Sequence, residues 1–181
     1  MKTLILYTSK CGSTKKYSED IARQVQADVF PLKGFKPKKM LAYDTIVFGG
    51  WIRGNTIQGL DKFLQSYESI KAKNVIVFAV GMGIPTSESR SLLIEQNLLD
   101  LYHIRFYQFR GSFDIKKLDF INKLLINNSL KMITSDPSAS EDQKNLGSIK
   151  DHPIEAYDQQ KVDKVVSVLN QLSFDSAAQG K

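Results

Sequence analysis

Short apolar runs alternate with amphipathic stretches along most of this 181-residue chain. The runs are "KTLILY" (2–7), "DVFPL" (28–32), "TIVFGG" (45–50), "NVIVFAVGMG" (74–83) and "IRFYQFRGSF" (104–113). Each is short and nearly continuous, as in a strand that is buried on both faces. Because parallel strands need long crossovers, strands that alternate with helices predict a parallel sheet covered on both sides. The sequence therefore predicts an α/β fold.

Apolar residues between these runs recur at helical spacing. The predicted helices are 13–27, a helix containing Leu60 to Tyr67, one containing Leu92 to Leu99, and a last helix beginning near Asp158, a good N-cap. Pro31 cannot donate to a ladder, which predicts an edge position for the second strand. Residues 114–150 hold a helical pattern and then a polar, turn-rich loop, so they predict an insertion after strand five. We expect one domain over residues 1–173 and a flexible tail at 174–181.

Composition excludes several classes of protein. There is no run of about 18 apolar residues to cross a membrane, and the N-terminal run resembles a strand more than a signal peptide. A single cysteine excludes an internal disulfide and fits the reducing cytoplasm. His103 and His152 lie too far apart in sequence to indicate a zinc site. The net charge of +6 comes from scattered lysines, so we expect no nucleic-acid binding. Attraction to an anionic ligand or to a membrane surface explains the positive net charge as well as nucleic-acid binding would.

Three loops of small residues follow the first, third and fourth strands. They are "TSKCGST" (8–14), "GGWIRGNT" (49–56) and "VGMGIPTSES" (80–89). Right-handed crossovers bring the carboxyl ends of these strands to one edge of the sheet. Open α/β sheets bind ligands at that edge. The sequence therefore predicts one binding site built from all three loops.

The first loop has the composition of a phosphate-binding loop. It combines the hydroxyls of Thr8, Ser9, Ser13 and Thr14 with Gly12, at the point where a helix begins. A helix start offers unpaired N–H groups and a partial positive charge. The loop matches neither the Walker pattern nor GxGxxG. The alternative is an ordinary N-cap at Ser13 or Thr14, which explains only one of the four hydroxyls.

The segment "LILYTSKCGSTKKYSEDIA" resembles the flavodoxin signature. The resemblance implies a three-layer, flavodoxin-like sandwich with strand order 2-1-3-4-5 and a non-covalently bound FMN. The residues that it assigns to the FMN phosphate are Thr8, Ser9, Lys10, Cys11, Gly12, Ser13 and Thr14. Cys11 and Ser13 depart from the usual Thr and Asn. Lys15 and Lys16 follow the loop with positive charge that acidic flavodoxins lack there.

The resemblance also assigns the flavin ring to the other two loops. The implied residues are Trp51, Ile52, Arg53, Gly54, Asn55, Gly81, Met82 and Gly83. Trp51 either stacks on the ring or is a core-edge aromatic, in which case Ile52 makes the ring contact. Arg53 either faces the flavin or a substrate carboxylate, or is a solvated charge. A peptide flip at Gly54 and Asn55 would reach flavin N5. The third loop lacks the Tyr that commonly covers the flavin, which implies an open ring face.

A narrower resemblance rests on "MKTLILYTSKCGSTKK", "YDTIVFGGWIRG" and the position of the insertion. These resemble the oxygen-independent protoporphyrinogen dehydrogenases of heme biosynthesis, which oxidise protoporphyrinogen IX through FMN and reduce respiratory quinones. No catalytic residue is assigned, because the flavin carries the chemistry. One alternative is an electron carrier that docks on redox partner proteins, although 25 basic against 19 acidic residues is unlike an acidic docking face. Another is a nucleotide-binding module without redox chemistry.

Two further expectations concern the insertion and the cysteine. The insertion, with Lys116, Lys117, Lys123 and Lys131, either covers the domain or borders the open flavin face and seats an apolar, anionic partner at a membrane surface. Cys11 is predicted to be a structural loop residue. Lys10 and Lys15 beside it are nevertheless expected to favour its thiolate by lowering its pKa.

Overall fold

The computed structural model describes residues 1–112, 123, 127–128, 130–132, 135, 137 and 155–179. Most of the predicted insertion lies outside these described residues. The strands are β1 (Thr3–Tyr7), β2 (Asp28–Pro31), β3 (Thr45–Arg53), β4 (Thr56–Ile57), β5 (Asn74–Gly81) and β6 (Arg105–Arg110). The helices are α1 (Ser13–Val25), a 3₁₀ helix (Pro37–Ala42), α2 (Leu60–Leu64), α3 (Tyr67–Ile70), α4 (Ser87–Gln96) and α5 (Gln159–Gln179).

Within the described residues, five parallel strands form the sheet in the order β2-β1-β3-β5-β6. The short strand β4 pairs only with β3 and was not among the predicted strands, so β5 and β6 are the predicted fourth and fifth strands. The observed order therefore confirms the predicted order 2-1-3-4-5. The strand β2 lies at the edge, as Pro31 predicted. The three strands that carry the small-residue loops, β1, β3 and β5, are adjacent at the centre, with Ile5 opposite Val47 and Val47 opposite Ile76.

Helices cover both faces of the sheet, which confirms the three-layer sandwich. On one face Ile5 and Phe78 pack with Tyr17 and Ile21 of α1 and Val165 of α5. The opposite face buries a second apolar cluster, made by Leu6, Phe48 and Val77 with Phe63 and Leu93. Successive strand residues point to opposite faces, so strands that are covered on both sides are apolar at nearly every position.

The second loop is a β-hairpin, which the sequence analysis did not predict. The strand β3 continues past Gly50 to Arg53, turns at Gly54 and Asn55, and returns as β4 with Arg53 opposite Thr56. Gly54 has φ of +58°, a left-handed conformation that glycine adopts readily. The apolar run 45–50 predicted a strand that ends at the glycine pair, whereas β3 continues three residues beyond it. Close packing needs these glycines, since a Cβ on Gly49 would lie 2.3 Å from the Phe78 ring.

Two helix predictions also need correction. The helix expected around residues 60–67 is two short helices, and Ser66 is the N-cap of the second. The last helix does begin after Asp158, whose Oδ1 accepts the Gln160 N–H at 2.9 Å. It continues to Gln179, however, so residues 174–179 are helical where a flexible tail was expected. No glycine or proline interrupts the helix before Gly180.

No helix within the described part of the chain is both long enough and apolar enough to cross a membrane.

Candidate functional site

The three small-residue loops meet at the carboxyl edge of the central strands. Thr8 of the first loop donates its N–H to the Gly49 carbonyl at 2.9 Å and its hydroxyl to the Gln58 carbonyl at 2.5 Å. Ile52 of the second loop packs on Gly81 of the third, where a Cβ would lie 3.0 Å from the Ile52 side chain. The second loop therefore contacts both the first and the third.

The first loop presents backbone donors at the start of α1. Gly12 is the N-cap with φ of +92°, and its N–H donates a hydrogen bond to the Ser9 hydroxyl oxygen at 3.1 Å. Helical bonding begins with the Lys16 N–H, which donates to the Gly12 carbonyl. The N–H groups of residues 13–15 donate to no described residue. Three free donors at the positive end of a 13-residue helix fit a phosphate group.

The four hydroxyls of this loop have different uses. Thr8 donates to Gln58, and Ser13 donates to the Ser112 carbonyl at 2.8 Å, so both bind other parts of the protein. Ser9 accepts from Gly12 and retains its own proton as a donor. Thr14 is only 2% exposed, and its hydroxyl bonds to no other described residue. The alternative of a side-chain N-cap at Ser13 or Thr14 is wrong, because Gly12 holds that position without a side-chain cap.

The second loop places its predicted residues on the β3–β4 hairpin. Trp51 and Ile52 are half-buried in β3, whereas Arg53, Gly54 and Asn55 are exposed at the turn. Arg53 forms no ion pair with a described residue. Part of the Trp51 side chain is therefore accessible, and Arg53 adds a positive charge that no described residue neutralises.

The third loop is fixed to β6 through its backbone. The Gly81 carbonyl accepts the Gly111 N–H at 2.7 Å, and the Met82 carbonyl accepts the Arg110 Nε–H at 3.1 Å. Gly83 is exposed, and the Ile84 side chain beside it is 51% exposed. The start of this loop is thus held in place, while its tip presents glycine and apolar surface.

A cavity of about 170 Å³ lies beside the first loop. It is lined by Cys11, Gly12, Ser13, Lys16, Tyr17, Ser112 and Tyr157. Tyr17, Ser112 and Tyr157 were not predicted from the sequence as neighbours of this loop. No local pattern identifies Ser112 or Tyr157, since each lies about a hundred residues or more from the loop in sequence and reaches it only through the fold.

The thiol of Cys11 is not activated. Partial burial raises its pKa above the ordinary value and outweighs the opposite effect of Lys10. Lys10 does lower this pKa, as expected from the sequence, but desolvation disfavours the thiolate more strongly, so the net shift is upward.

A charged cluster joins α1 to the segment before α5. Asp20 is 7% exposed and accepts hydrogen bonds from Lys16 at 2.7 Å, from the Tyr157 hydroxyl at 2.6 Å and from Arg23. Burial opposes ionisation of Asp20, but these donors outweigh it and hold its pKa below the usual range. Burial and the neighbouring Asp20 raise the pKa of Tyr157, so it stays a protonated donor.

Comparison with known proteins identifies the family. The family model described as "Flavodoxin domain" matches residues 4–141. No curated protein matches the sequence. Solved structures of similar fold include two-electron reduced Megasphaera elsdenii flavodoxin, with 14% identity, a TM-score of 0.48, and 81% of this chain and 96% of that chain covered.

Two further solved structures cover less of this chain. Flavodoxin 2 from Bacillus cereus has 20% identity and a TM-score of 0.47, with 61% of this chain and 85% of that chain covered. The Trp repressor binding protein from Bacillus subtilis has 15% identity and a TM-score of 0.47, with 61% and 84% covered. The family model spans most of the sequence and includes all three loops. The chain therefore belongs to the flavodoxin domain family, whose fold binds FMN.

Proposed function

We propose that this chain is an FMN-dependent oxidoreductase of the protoporphyrinogen dehydrogenase kind, which oxidises protoporphyrinogen or a similar flat molecule and reduces a quinone. The observation that carries the proposal is the third loop. Its tip has exposed Gly83 and Ile84 and no aromatic residue that would cover a flavin ring. A flat apolar substrate needs such uncovered apolar surface beside the cofactor.

Charge supports a small anionic substrate over a protein-docking carrier. The chain has 25 basic and 19 acidic residues, and Arg53 at the hairpin turn is exposed and forms no ion pair with a described residue. A guanidinium group binds carboxylates in a two-pronged geometry. In this proposal Arg53 binds a propionate-type carboxylate of the substrate.

The residues of the chain bind and orient the cofactor. When bound, FMN supplies the two-electron acceptor that oxidation of the substrate requires. The N–H groups of residues 13–15 and the Thr14 hydroxyl would hold its phosphate. The Gly54–Asn55 turn and the backbone of residues 81–83 would fix the ring edge, and Trp51 would contact its face.

The test is an anaerobic assay of the FMN-loaded protein with protoporphyrinogen and a soluble quinone, followed by protoporphyrin fluorescence. We expect turnover that needs both FMN and quinone. Arg53→Gln should reduce it about tenfold at unchanged FMN content, while Arg105→Gln, an exposed arginine at the opposite edge, should not. A flavin-loaded protein that forms no protoporphyrin but passes electrons from a reductase to cytochrome c would instead be an electron carrier. A colourless protein that does not take up FMN would contradict both.

We also propose peripheral contact with anionic membranes, where quinones reside. Lys33, Lys36, Lys38 and Lys39 are all exposed within seven residues, and Leu41 beside them is 54% exposed. Each basic residue near an anionic bilayer contributes about 1 kcal/mol. Sedimentation with phosphatidylglycerol vesicles should be weakened by replacing these four lysines with glutamine. Equal sedimentation of the two proteins would contradict the proposal.

A further inference from the structure

Asn97 is a buried polar residue immediately after α4, and it is 9% exposed. The side-chain amide bonds in three directions. Its Nδ2 donates to the Asn55 carbonyl at 2.8 Å and to the Leu93 carbonyl at 2.8 Å, and its Oδ1 accepts the Ile57 N–H at 2.9 Å. Both amide protons and one oxygen lone pair are therefore used, which only an amide side chain of this length supplies.

These bonds hold the β3–β4 hairpin from its outer side. The hairpin is closed on its inner side by the pairing of Arg53 with Thr56 and of Ile52 with Ile57. The two-residue strand β4 has no further strand beyond it in the described sheet. Asn97 bonds the backbone groups of Asn55 and Ile57 that a further strand would otherwise satisfy. The bonds to Ile57 and Leu93 are buried and the bond to Asn55 is partly buried, so water competes less for them than for surface hydrogen bonds.

Asn97 binds the carbonyl of the Asn55–Thr56 peptide, and the peptide before it, Gly54–Asn55, is not bound by Asn97. The Gly54 carbonyl and the Asn55 N–H bond to no described residue, and Gly54 has φ of +58°. Rotation of the Gly54–Asn55 peptide thus breaks no bond within the described part of the chain. Asn97 fixes the next carbonyl, that of Asn55, and so limits the rotation to the Gly54–Asn55 peptide.

We propose that Asn97 is a positioning residue that holds the Gly54–Asn55 turn against the FMN ring and thereby sets its reduction potential. The inference rests on the proposed placement of this turn at the flavin. The anchored turn keeps one rotatable N–H or carbonyl within reach of the ring edge. Loss of the anchor costs the reduced state its hydrogen bond, so reduction becomes less favourable.

The first experiment compares Asn97→Ala with Gln96→Ala, an exposed neighbour that is the last residue of α4. In the FMN-free proteins, exchange of the Ile57 amide should be at least tenfold faster in Asn97→Ala and unchanged in Gln96→Ala. In the FMN-loaded proteins, the one-electron reduction equilibrium should become about tenfold less favourable in Asn97→Ala, which corresponds to about 59 mV. A folded Asn97→Ala protein whose reduction potential equals that of the wild type overturns the proposal.

Two additional measurements separate the possible failures. Gly54→Ala strains the turn without a new contact, since nothing lies within 4 Å of its added Cβ. If Gly54→Ala shifts the potential and Asn97→Ala does not, only the role of Asn97 fails. If neither shifts it, the placement of the turn at the flavin fails as well. If Asn97→Ala does not fold, the exchange rate of the Ile57 amide is compared in the wild-type protein with and without FMN. FMN should slow this exchange at least tenfold, and equal rates with and without FMN overturn the proposal.

Discussion

The Thr8 hydroxyl donates a hydrogen bond to the Gln58 carbonyl, 2.5 Å away, and joins the loop after β1 to the end of the β3–β4 hairpin. The two residues are 50 positions apart in sequence. Two loops of the site therefore share a fixed spacing that neither loop sets alone. Gly59 permits this contact, because a Cβ there would lie 2.5 Å from Thr8.

Thr8→Val should loosen this connection. The valine keeps the shape of the side chain and leaves the Gln58 carbonyl without its partner, which costs about 1 kcal/mol. We expect the free energy of unfolding of the FMN-free protein, measured in urea, to fall by about that amount. The exposed Thr56→Val on β4 is the control and should change it little. Equal stability of Thr8→Val and wild type would show that the bond is unimportant.

Thr14→Val should affect the cofactor rather than the fold. The Thr14 hydroxyl bonds to no other described residue, so its loss leaves the FMN-free protein close to wild-type stability. A hydrogen bond to a charged phosphate contributes about 1 to 3 kcal/mol, and FMN fluorescence titration should show that loss of affinity. Thr3→Val, a buried threonine at the opposite end of β1, should bind FMN normally. Unchanged affinity in Thr14→Val would place the phosphate elsewhere.

Cys11→Ser should keep both FMN affinity and turnover. Burial raises the pKa of the Cys11 thiol, so little thiolate is present at neutral pH. Alkylation of the native protein by iodoacetamide at pH 7 should therefore be slower than that of the unfolded protein. Faster alkylation of the native protein, or loss of turnover in Cys11→Ser, would indicate a reactive cysteine.

Asp20→Asn should weaken the protein and flatten its response to acid. The folded-state pKa of Asp20 lies below its ordinary value near 3.8. Its contribution to stability is therefore complete above that value and is lost as pH falls through the folded-state pKa. We expect the free energy of unfolding of Asp20→Asn at pH 7 to be about 1 to 3 kcal/mol lower than that of the wild type. As the pH is lowered further, the variant should lose less stability than the wild type does. Urea unfolding at a series of pH values measures both effects. The exposed Glu19→Gln should follow the wild-type curve, and a wild-type slope in Asp20→Asn would contradict this assignment.

The parallel sheet follows from local patterns in the sequence, whereas its strand order was implied by the resemblance to flavodoxins. Runs such as 45–50 and 74–83 are almost continuously apolar because helices cover both faces of the sheet. That pattern can be recognised without knowing which elements pack on each strand. Pro31 predicts the edge strand because a missing N–H is a property of the residue itself. The three loops were predicted to meet because crossover handedness is nearly invariant. The residues of the predicted phosphate loop do surround the start of α1.

Only the tertiary structure decided how individual groups are used. Thr8 and Ser13 have the same hydroxyl as Thr14, yet their protons are taken by Gln58 and Ser112, which the sequence places 50 and 99 positions away. The β3–β4 hairpin was missed because Gly49 and Gly50 resemble a strand end locally, while their real role is to admit Phe78 and Ile57. Asn97 carries no motif, and its significance comes entirely from the carbonyl and N–H that the fold brings to it. Local pattern determines which elements form, whereas hydrogen bonds between distant residues depend on the packing of those elements.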